Sequence, residues 1–315
     1  MAEMLETISV NEVLRDSVVT PLTCPACNGC VRTSTEHDEL VCLACDRAFA
    51  VDPRDGFHAF YDLAPMQNRS LLSDEEPILN PAMTSFGVPL TVHTIREALR
   101  KCQPKTVLDI GCGNGGYADA LSGLYTSYFG LEPSVIPTSR RMANQLGENV
   151  ILVHNDPSRP LPVTKNSFDL VMFLASYDHI PNRNEVVARA WDAVKPFGFM
   201  LITMTNYGFW AKRMLNFILG REVAKQEHDH FCVHNPQTLE DEVLSSGRIG
   251  EVFWCEADNI YVPNSRAQIL YQSRLALTIA NWLLRHTVNS VLRKKHAGST
   301  MTVVFRKLPV PESSL

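Results

Sequence analysis

Alternating apolar and polar stretches predict an α/β protein from about residue 90 onward. The segment V-H-T-I-R-E-A-L-R has helical spacing, and Pro104 ends that helix. The apolar run T-V-L-D-I then predicts a strand, and Y-A-D-A-L-S-G-L predicts a helix that starts near Tyr117. Further strands are predicted at Y-F-G-L-E, I-L-V-H-N-D and S-F-D-L-V-M-F-L. A strand followed by a glycine turn and a helix is the first unit of a doubly wound α/β sheet.

The glycines between the first strand and the next helix predict a ligand-binding turn. Gly111, Gly113, Gly115 and Gly116 fall within six positions, so the backbone can approach a ligand without obstruction by side chains. Gly111, Gly113 and Gly116 also satisfy G-x-G-x-x-G, which keeps a dinucleotide ligand open. Asp109 stands two residues before the first glycine, where a carboxylate favours a cationic ligand over a pyrophosphate.

Acidic residues end the next two predicted strands. Glu132 follows Gly113 by 19 residues and can accept hydrogen bonds from ribose hydroxyls, which both ligand classes carry. Asp156 ends the third strand and can accept a hydrogen bond from the exocyclic amine of adenine. In the competing structural interpretation, Asp109 caps the following helix and Asp156-Pro157 is a plain turn.

The ordered motifs of this segment resemble those of class I S-adenosylmethionine-dependent methyltransferases over about residues 90–255, with a last strand near 300–306. The matching stretches are V-L-D-I-G-C-G-N-G, G-L-E-P, N-D-P-S-R-P-L-P, N-S-F-D-L-V, D-H-I-P-N and V-K-P-F-G-F-M-L-I-T. The resemblance implies that Asp109 and the turn at 111–115 hold the amino-acid end of the cofactor, that Glu132 binds the ribose, and that Asp156 binds the adenine amine. It also implies that the backbone near Leu174–Ser176 lines the sulfonium side. The implied cofactor-binding set is Asp109, Gly111, Gly113, Asn114, Gly115, Glu132, Asn155, Asp156 and Leu174.

Candidate catalytic residues follow the fourth strand, in A-S-Y-D-H-I-P-N. His179 could act as a general base with Asp178 beside it, or the pair could only order the loop. A second candidate is His230, within E-H-D-H-F-C-V-H. That stretch could bind a metal, but it is similar to the H-x-R-F-F-T segment of methyltransferases that act on sugars or lipid-linked glycans. Cys232 replaces the arginine of that pattern, so the substrate class stays open.

Four cysteines predict a structural zinc site near the N-terminus. Cys24, Cys27, Cys42 and Cys45 form two C-x2-C pairs separated by 14 residues, whereas Cys30 is expected to be a bystander. A segment of some 40 residues rarely folds without such a staple. With A-F-A-V-D-P-R-D-G-F-H-A-F after the second pair, residues 20–62 resemble the zinc ribbons of methyltransferase activator proteins. Residues 63–88, with three prolines, are expected to be a linker.

The C-terminal part of the chain has an unusual charge distribution. The net charge of the chain is −5, yet residues 259–310 contain eight Lys or Arg and no acid. The apolar helical pattern within 263–296 predicts a lid over the site. The lid could also contact a membrane surface or a lipid-carried substrate. RNA contact is a further alternative, which the acidic remainder of the chain disfavours.

These observations predict an α/β fold, namely a doubly wound seven-stranded Rossmann-like methyltransferase sheet with a small N-terminal zinc ribbon and a helical C-terminal insertion. The methyltransferase domain is expected at 89–309, with helical insertions at about 207–230 and 263–296. The expected reaction is methyl transfer from S-adenosylmethionine to a small molecule, sugar or lipid-linked metabolite. The alternatives are a ribosomal or transfer RNA base methyltransferase and a cofactor-binding pseudo-enzyme that acts as a partner-binding module. The acidic N-terminus lacks the basic region of a signal peptide, so a cytoplasmic protein is predicted. Peripheral membrane contact through the basic C-terminal segment is an alternative. The sequence leaves the oligomeric state open.

Overall fold

The chain has 315 residues, and the structure is a computed structural model. The residues it describes are 19–34, 39–63, 88–135, 146–147, 149–155, 159–208, 231–245, 247–258, 282, 298 and 300–309.

The N-terminal module is a four-stranded antiparallel sheet in the order β1-β2-β3-β4. Alternate residues of its strands point inward, so Leu22, Val31, Leu40 and Phe49 are buried in a very small core. The first C-x2-C pair lies in the turn after β1, and the second spans the last residue of β3 and the turn after it. The strands are β1 (Val19–Thr23), β2 (Cys30–Ser34), β3 (Glu39–Cys42) and β4 (Ala48–Phe49).

The larger sheet has seven strands among the described residues, in the order β10-β11-β9-β8-β5-β6-β7. Strands β5 to β9 are parallel and β11 is antiparallel to its neighbours. The elements are α1 (Val88–Cys102), β5 (Thr106–Ile110), α2 (Gly116–Ala120), β6 (Ser127–Glu132), β7 (Val150–His154), β8 (Phe168–Leu174), a 3₁₀ turn (Tyr177–His179), α3 (Arg183–Ala193), β9 (Val194–Thr205), α4 (Pro236–Leu244), β10 (Gly250–Asp258) and β11 (Thr300–Lys307).

The strand order places the predicted site at one edge of this sheet. The first strand of this sheet in chain order, β5, lies between β6 and β8. The strands that follow it are therefore added on both sides of β5, and the strand order reverses there. Ligands of such sheets bind outside the carboxyl ends of the strands where the order reverses. The local boundaries follow the sequence, because α2 begins at Gly116 and α1 ends two residues before Pro104. The strand order given above confirms the prediction of a seven-stranded α/β sheet.

The N-terminal module contacts the larger sheet through two backbone connections. Leu22 bridges Val163 in antiparallel fashion, and His58 bridges Val153 in parallel. His58 donates its N–H to the Leu152 carbonyl at 2.8 Å, and thereby extends the sheet beyond β7. The module is thus attached to the strand that ends next to Asn155.

Several predicted features lie outside the described residues. They include Asp156, His230, nearly all of the linker, and the two helical insertions apart from Tyr207, Gly208 and Trp282. The predicted lid and its membrane contact therefore stay predictions. Within the described ranges, no helix combines the length and the hydropathy that a membrane crossing requires.

Candidate functional site

The turn after β5 is built from glycines in the left-handed region. Gly111, Gly113 and Gly115 have φ angles of 77°, 58° and 79°, which side chains disfavour. A Cβ on Gly111 would also lie 2.6 Å from the Cβ of Ser176. The turn is fixed to β6 because the Gly111 N–H donates to the Leu131 carbonyl at 2.8 Å. The result is a turn at the carboxyl end of β5 in which three glycines add no side chains.

Asp109 places a buried carboxylate at the start of this turn. Its Oδ2 accepts a hydrogen bond from the hydroxyl of Tyr128, whereas Oδ1 has no hydrogen-bond partner among the described residues. Burial raises the pKa of Asp109 to about 7, against the Tyr128 hydrogen bond, which lowers it. A buried carboxylate oxygen without a partner is costly, so this position fits a ligand that brings a cation or a hydrogen-bond donor.

Glu132 adds a second buried carboxylate at the end of β6. Its Oε2 accepts the Gly113 N–H at 2.9 Å, so it is held directly against the glycine turn. Burial raises the pKa of Glu132 to about 8, although the backbone N–H groups of Gly113 and Ser134 lower it. The negative charge of Asp109 contributes to the increase. Each raised pKa means that ionisation of the two carboxyls is unfavourable without a compensating cation or hydrogen-bond donor, which a pyrophosphate does not supply.

These two raised pKa values predict a pH-dependent stability of the ligand-free protein. Unfolded Asp and Glu have pKa values of about 3.9 and 4.3, so between about pH 4 and pH 8 the folded state binds more protons than the unfolded state. The stabilisation from these two carboxyls should be full at the acidic end of this interval and should fall as the pH rises through it. Each carboxyl contributes about 1.4 kcal/mol per pH unit over which only the folded state keeps its proton.

Thermal unfolding measured across this interval tests the prediction. Glu132→Gln should show a shallower decline than the wild type, because its amide cannot ionise. Glu251→Gln is a matched control, since Glu251 is an exposed residue on β10. Identical pH profiles for Glu132→Gln and the wild type would contradict the assignment.

The remaining predicted cofactor residues lie along the same edge. The Asn114 Oδ1 accepts the Gly116 N–H at 3.0 Å and so shapes the turn. Asn155 donates its N–H to the Glu132 carbonyl at 2.9 Å, while its buried Oδ1 has no partner in the described part of the chain. Leu174 ends β8 and is buried. The structure thus brings together the described members of the predicted set at the ends of β5, β6, β7 and β8.

His179 and Asp178 lie in the 3₁₀ turn after β8. The Nε2 of His179 is 3.8 Å from Oδ1 of Asp178, with side-chain exposures of 25% and 3%. Ala175, just before this turn, has a φ of 55°, and Ser176 donates its hydroxyl to the Ile110 carbonyl at 2.5 Å. This bond fixes the segment beside the glycine turn. The imidazole of His179 is therefore partly exposed near the glycine turn, with the carboxyl group of Asp178 close to it.

A side-chain network that the sequence did not predict secures the other side of this segment. The Oε1 of Glu242 accepts the Tyr177 hydroxyl at 2.6 Å and Nε of Arg183 at 2.8 Å. The Nε2 of His234 lies 3.0 Å from the other oxygen, Oε2. Burial of Glu242 opposes its ionisation, but these hydrogen bonds prevail and lower its pKa. The network joins the turn after β8 to α4, and His234, which the sequence placed near a metal or substrate, contributes to it.

Two further side-chain contacts of the site were not predicted from the sequence, although the resemblance implied a role for the backbone at Ser176. Tyr128 hydrogen-bonds to Asp109, and Ser176 to the main chain of Ile110. Strand periodicity could have identified Tyr128, because residues 128, 130 and 132 share one face of β6. No sequence signal identified the side-chain contact of Ser176, which depends on the approach of β8 to β5.

The four predicted zinc ligands converge in the N-terminal module. The Sγ atoms of Cys24, Cys27, Cys42 and Cys45 all lie within 4.8 Å of one another. Cys24 and Cys45 are separated by 3.8 Å, and Cys27 and Cys42 by 3.5 Å. Cys30 is exposed and lies outside the group. Four converging thiol sulfurs fit a closed tetrahedral zinc site of the structural kind.

Comparisons with known proteins show what the segment that carries this edge is similar to. A family model described as a methyltransferase domain matches residues 90–247, which is half of the chain. A ubiquinone biosynthesis O-methyltransferase of Shewanella pealeana is 26% identical over 160 residues, covering 49% of this chain and 67% of the relative. The corresponding protein of Serratia proteamaculans is 27% identical over 158 residues, covering 48% and 65%. The crystal structure of the YcgJ protein from Bacillus subtilis aligns with 71% of this chain and all of its own, at 12% identity and a TM-score of 0.47.

Proposed function

We propose that this protein, which belongs to the methyltransferase domain family and is an S-adenosylmethionine-dependent methyltransferase, methylates a small molecule or a lipid-linked metabolite. The main support for this proposal is the Asp109 carboxylate, which is buried at the glycine turn and whose Oδ1 has no hydrogen-bond partner among the described residues. S-adenosylmethionine carries an ammonium group and a sulfonium, so it supplies the positive charge that this position favours.

The residues of the turn have separate roles in this proposal. Asp109 and the backbone of residues 111–115 hold the amino-acid end, and Glu132 accepts hydrogen bonds from the ribose hydroxyls. Asn155, with a buried amide oxygen, and Asp156 hold the adenine. Leu174 and the backbone after it line the side where the methyl group is exposed. The cofactor supplies an electrophilic methyl group, and the protein contributes chiefly proximity and alignment.

The acceptor side is formed by the 3₁₀ turn and the segment that crosses it. Phe231 donates its N–H to the Asp178 carbonyl at 2.7 Å, which fixes this segment next to His179. The side chains of Phe231 and Val233 are 58% and 52% exposed there. Two exposed apolar groups beside a partly exposed imidazole support an acceptor with an apolar body and a hydroxyl or amine. His179 would take the proton of that group, with Asp178 supporting the charged imidazole.

The related ubiquinone biosynthesis O-methyltransferases support a small-molecule acceptor. They match about half of this chain, so the acceptor itself is part of the proposal. The two alternatives are RNA methylation and cofactor binding without turnover. Isothermal titration with S-adenosylmethionine, followed by methyl-transfer assays on extracted metabolites and on RNA, separates them. Cofactor binding without transfer to either pool would favour the pseudo-enzyme.

Glu132→Ala tests the assignment of the ribose-binding residue. We expect the dissociation constant for S-adenosylmethionine to rise by the equivalent of about 1–3 kcal/mol, because charge-assisted hydrogen bonds to the ribose are lost. Isothermal titration measures the change, and Glu251→Ala on β10 is the control. If the wild type instead bound a nicotinamide dinucleotide and this variant lost that affinity, the dinucleotide alternative would be favoured.

A further inference from the structure

A buried cluster of side chains lies where the N-terminal module meets β7. The Nε2 of His154 is 3.0 Å from Oδ2 of Asp55, and its Nδ1 is 4.0 Å from Oδ2 of Asp52. His154 and Asp55 are fully buried, and Asp52 is 5% exposed. Burying such groups is costly unless each has a partner of complementary charge or hydrogen-bonding capacity. The contact therefore specifies how the module sits against the strand.

The surroundings of Asp52 favour a side-chain contact between the N-terminal module and β7 over a metal site. Arg54 donates from Nε to both oxygens of Asp52 at 3.0 Å, and from Nη2 to Oδ2 at 2.6 Å. The guanidinium thus already neutralises one of the two acids. The Oδ1 of Asp55 accepts the Phe57 N–H at 3.1 Å, so it too has a fixed internal role. The imidazole of His154 is left as the group that the acids face.

The same segment reaches the core beneath the glycine turn. Phe57 is fully buried in one apolar cluster with Cys112 and Leu152. Leu152 in turn lies against the turn, because its Cδ1 would be 2.8 Å from a Cβ on Gly115. The N-terminal module therefore contributes a core residue to the support of the turn.

The cluster is also one residue from the proposed cofactor site. His154 donates its N–H to the His58 carbonyl at 3.0 Å on one side. The next residue, Asn155, donates its N–H to the Glu132 carbonyl at 2.9 Å on the other. A displacement of His154 would therefore move the backbone of Asn155, whose N–H is bonded to the carbonyl of Glu132.

We propose that His154 is a positioning residue: through its contact with Asp55, the N-terminal module sets the end of β7 and so determines the affinity of the methyltransferase sheet for its cofactor. This inference rests on the proposed function, since it takes S-adenosylmethionine as the ligand. It assigns the module a role in cofactor binding without placing any of its residues against the cofactor.

Titration of S-adenosylmethionine into full-length variants tests the link. His154→Gln and Asp55→Asn should each weaken binding about tenfold, which is a typical coupling between sites. Asp62→Asn is the matched control, because Asp62 is in the same segment but its side chain is 99% exposed. The double variant His154→Gln/Asp55→Asn should bind within about twofold of the weaker single variant, because both substitutions break one contact.

Removal of zinc provides a second test, in which the dissociation constant for the cofactor is measured before and after chelation. A merely structural role would not change that constant. Chelation should weaken cofactor binding by the wild type at least about tenfold, and should weaken binding by His154→Gln by a smaller factor, because one of the contacts between the module and β7 is already broken in that variant. A purely structural role would lower the melting temperature and leave the dissociation constant unchanged at temperatures where the variants are folded.

The outcomes are distinguishable. Normal wild-type binding, with both single variants within about twofold of it, overturns the inference alone. Failure of the wild type to bind S-adenosylmethionine overturns the proposed function, and this inference with it. If circular dichroism shows that His154→Gln does not fold, Asp55→Asn decides, since it is isosteric and keeps the acceptor for the Phe57 N–H.

Discussion

Gly113→Val should abolish binding of S-adenosylmethionine while the protein remains folded. Gly113 has a φ of 58°, and its N–H is donated to Glu132, so it lies in the turn directly beside one of the two carboxylates proposed to bind the ligand. A valine would place a branched side chain in the space that the cofactor needs. The substitution also costs about 1–2 kcal/mol of backbone strain, because a side chain disfavours the left-handed region. Titration calorimetry should therefore show no measurable binding, with circular dichroism close to that of the wild type.

Gly123→Val separates steric exclusion from backbone strain. Gly123 has a φ of 79°, and a Cβ there would meet nothing within 4 Å. It follows α2, away from the carboxyl ends of the strands. This control should lose a similar amount of stability and keep its affinity for the cofactor. Unchanged affinity in Gly113→Val, or an equal loss in Gly123→Val, would contradict the assignment of the turn.

Cys24→Ser and Cys45→Ser should each lose the zinc and unfold the N-terminal module. The four sulfurs converge, and the module buries very few apolar side chains, so we expect its stability to depend on a bound metal. Structural zinc in small modules contributes on the order of 10 kcal/mol, which far exceeds the stability of such a fold without metal. We expect one zinc per wild-type chain by elemental analysis. Hydrogen exchange should show protection lost over 19–60 in the two variants.

Cys30→Ser is the matched control for the zinc site. Cys30 is exposed, belongs to the same module and lies outside the sulfur cluster. This variant should keep its zinc and its protection from exchange. Carefully handled wild-type protein without zinc, or loss of zinc in Cys30→Ser equal to that in Cys24→Ser, would refute the assignment of the ligands.

The carboxylates of the turn show where sequence reasoning reached the site and where it stopped. Asp109 and Glu132 were predicted from their distance to the glycines, because strand, turn and helix follow one another locally. Their burial was not predictable, since it depends on β5 lying between β6 and β8 and on β6 pairing with β7. The raised pKa values of Asp109 and Glu132 result from that burial and therefore belong to the tertiary structure.

The acceptor side depended still more on tertiary contacts. The sequence identified His179 and Asp178 but grouped His234 with a possible metal or substrate site. In the structure, Glu242 binds Tyr177 and Arg183 and lies against His234, so the histidine joins two elements. These residues are separated by up to 65 positions, and no spacing rule covers contacts over that distance.

By itself, the sequence determined the features that depend on neighbouring residues. Strand, glycine turn and helix follow from apolar periodicity and from φ angles that glycine permits, and the four cysteines from the spacing that lets two pairs share one ion. Only the tertiary structure decided how the N-terminal module is attached. The contact between Asp55 and His154 joins residues 99 positions apart, and it exists because His58 extends the sheet at the edge of β7. Such a contact is selected by the burial of both partners together, and neither residue signals it alone.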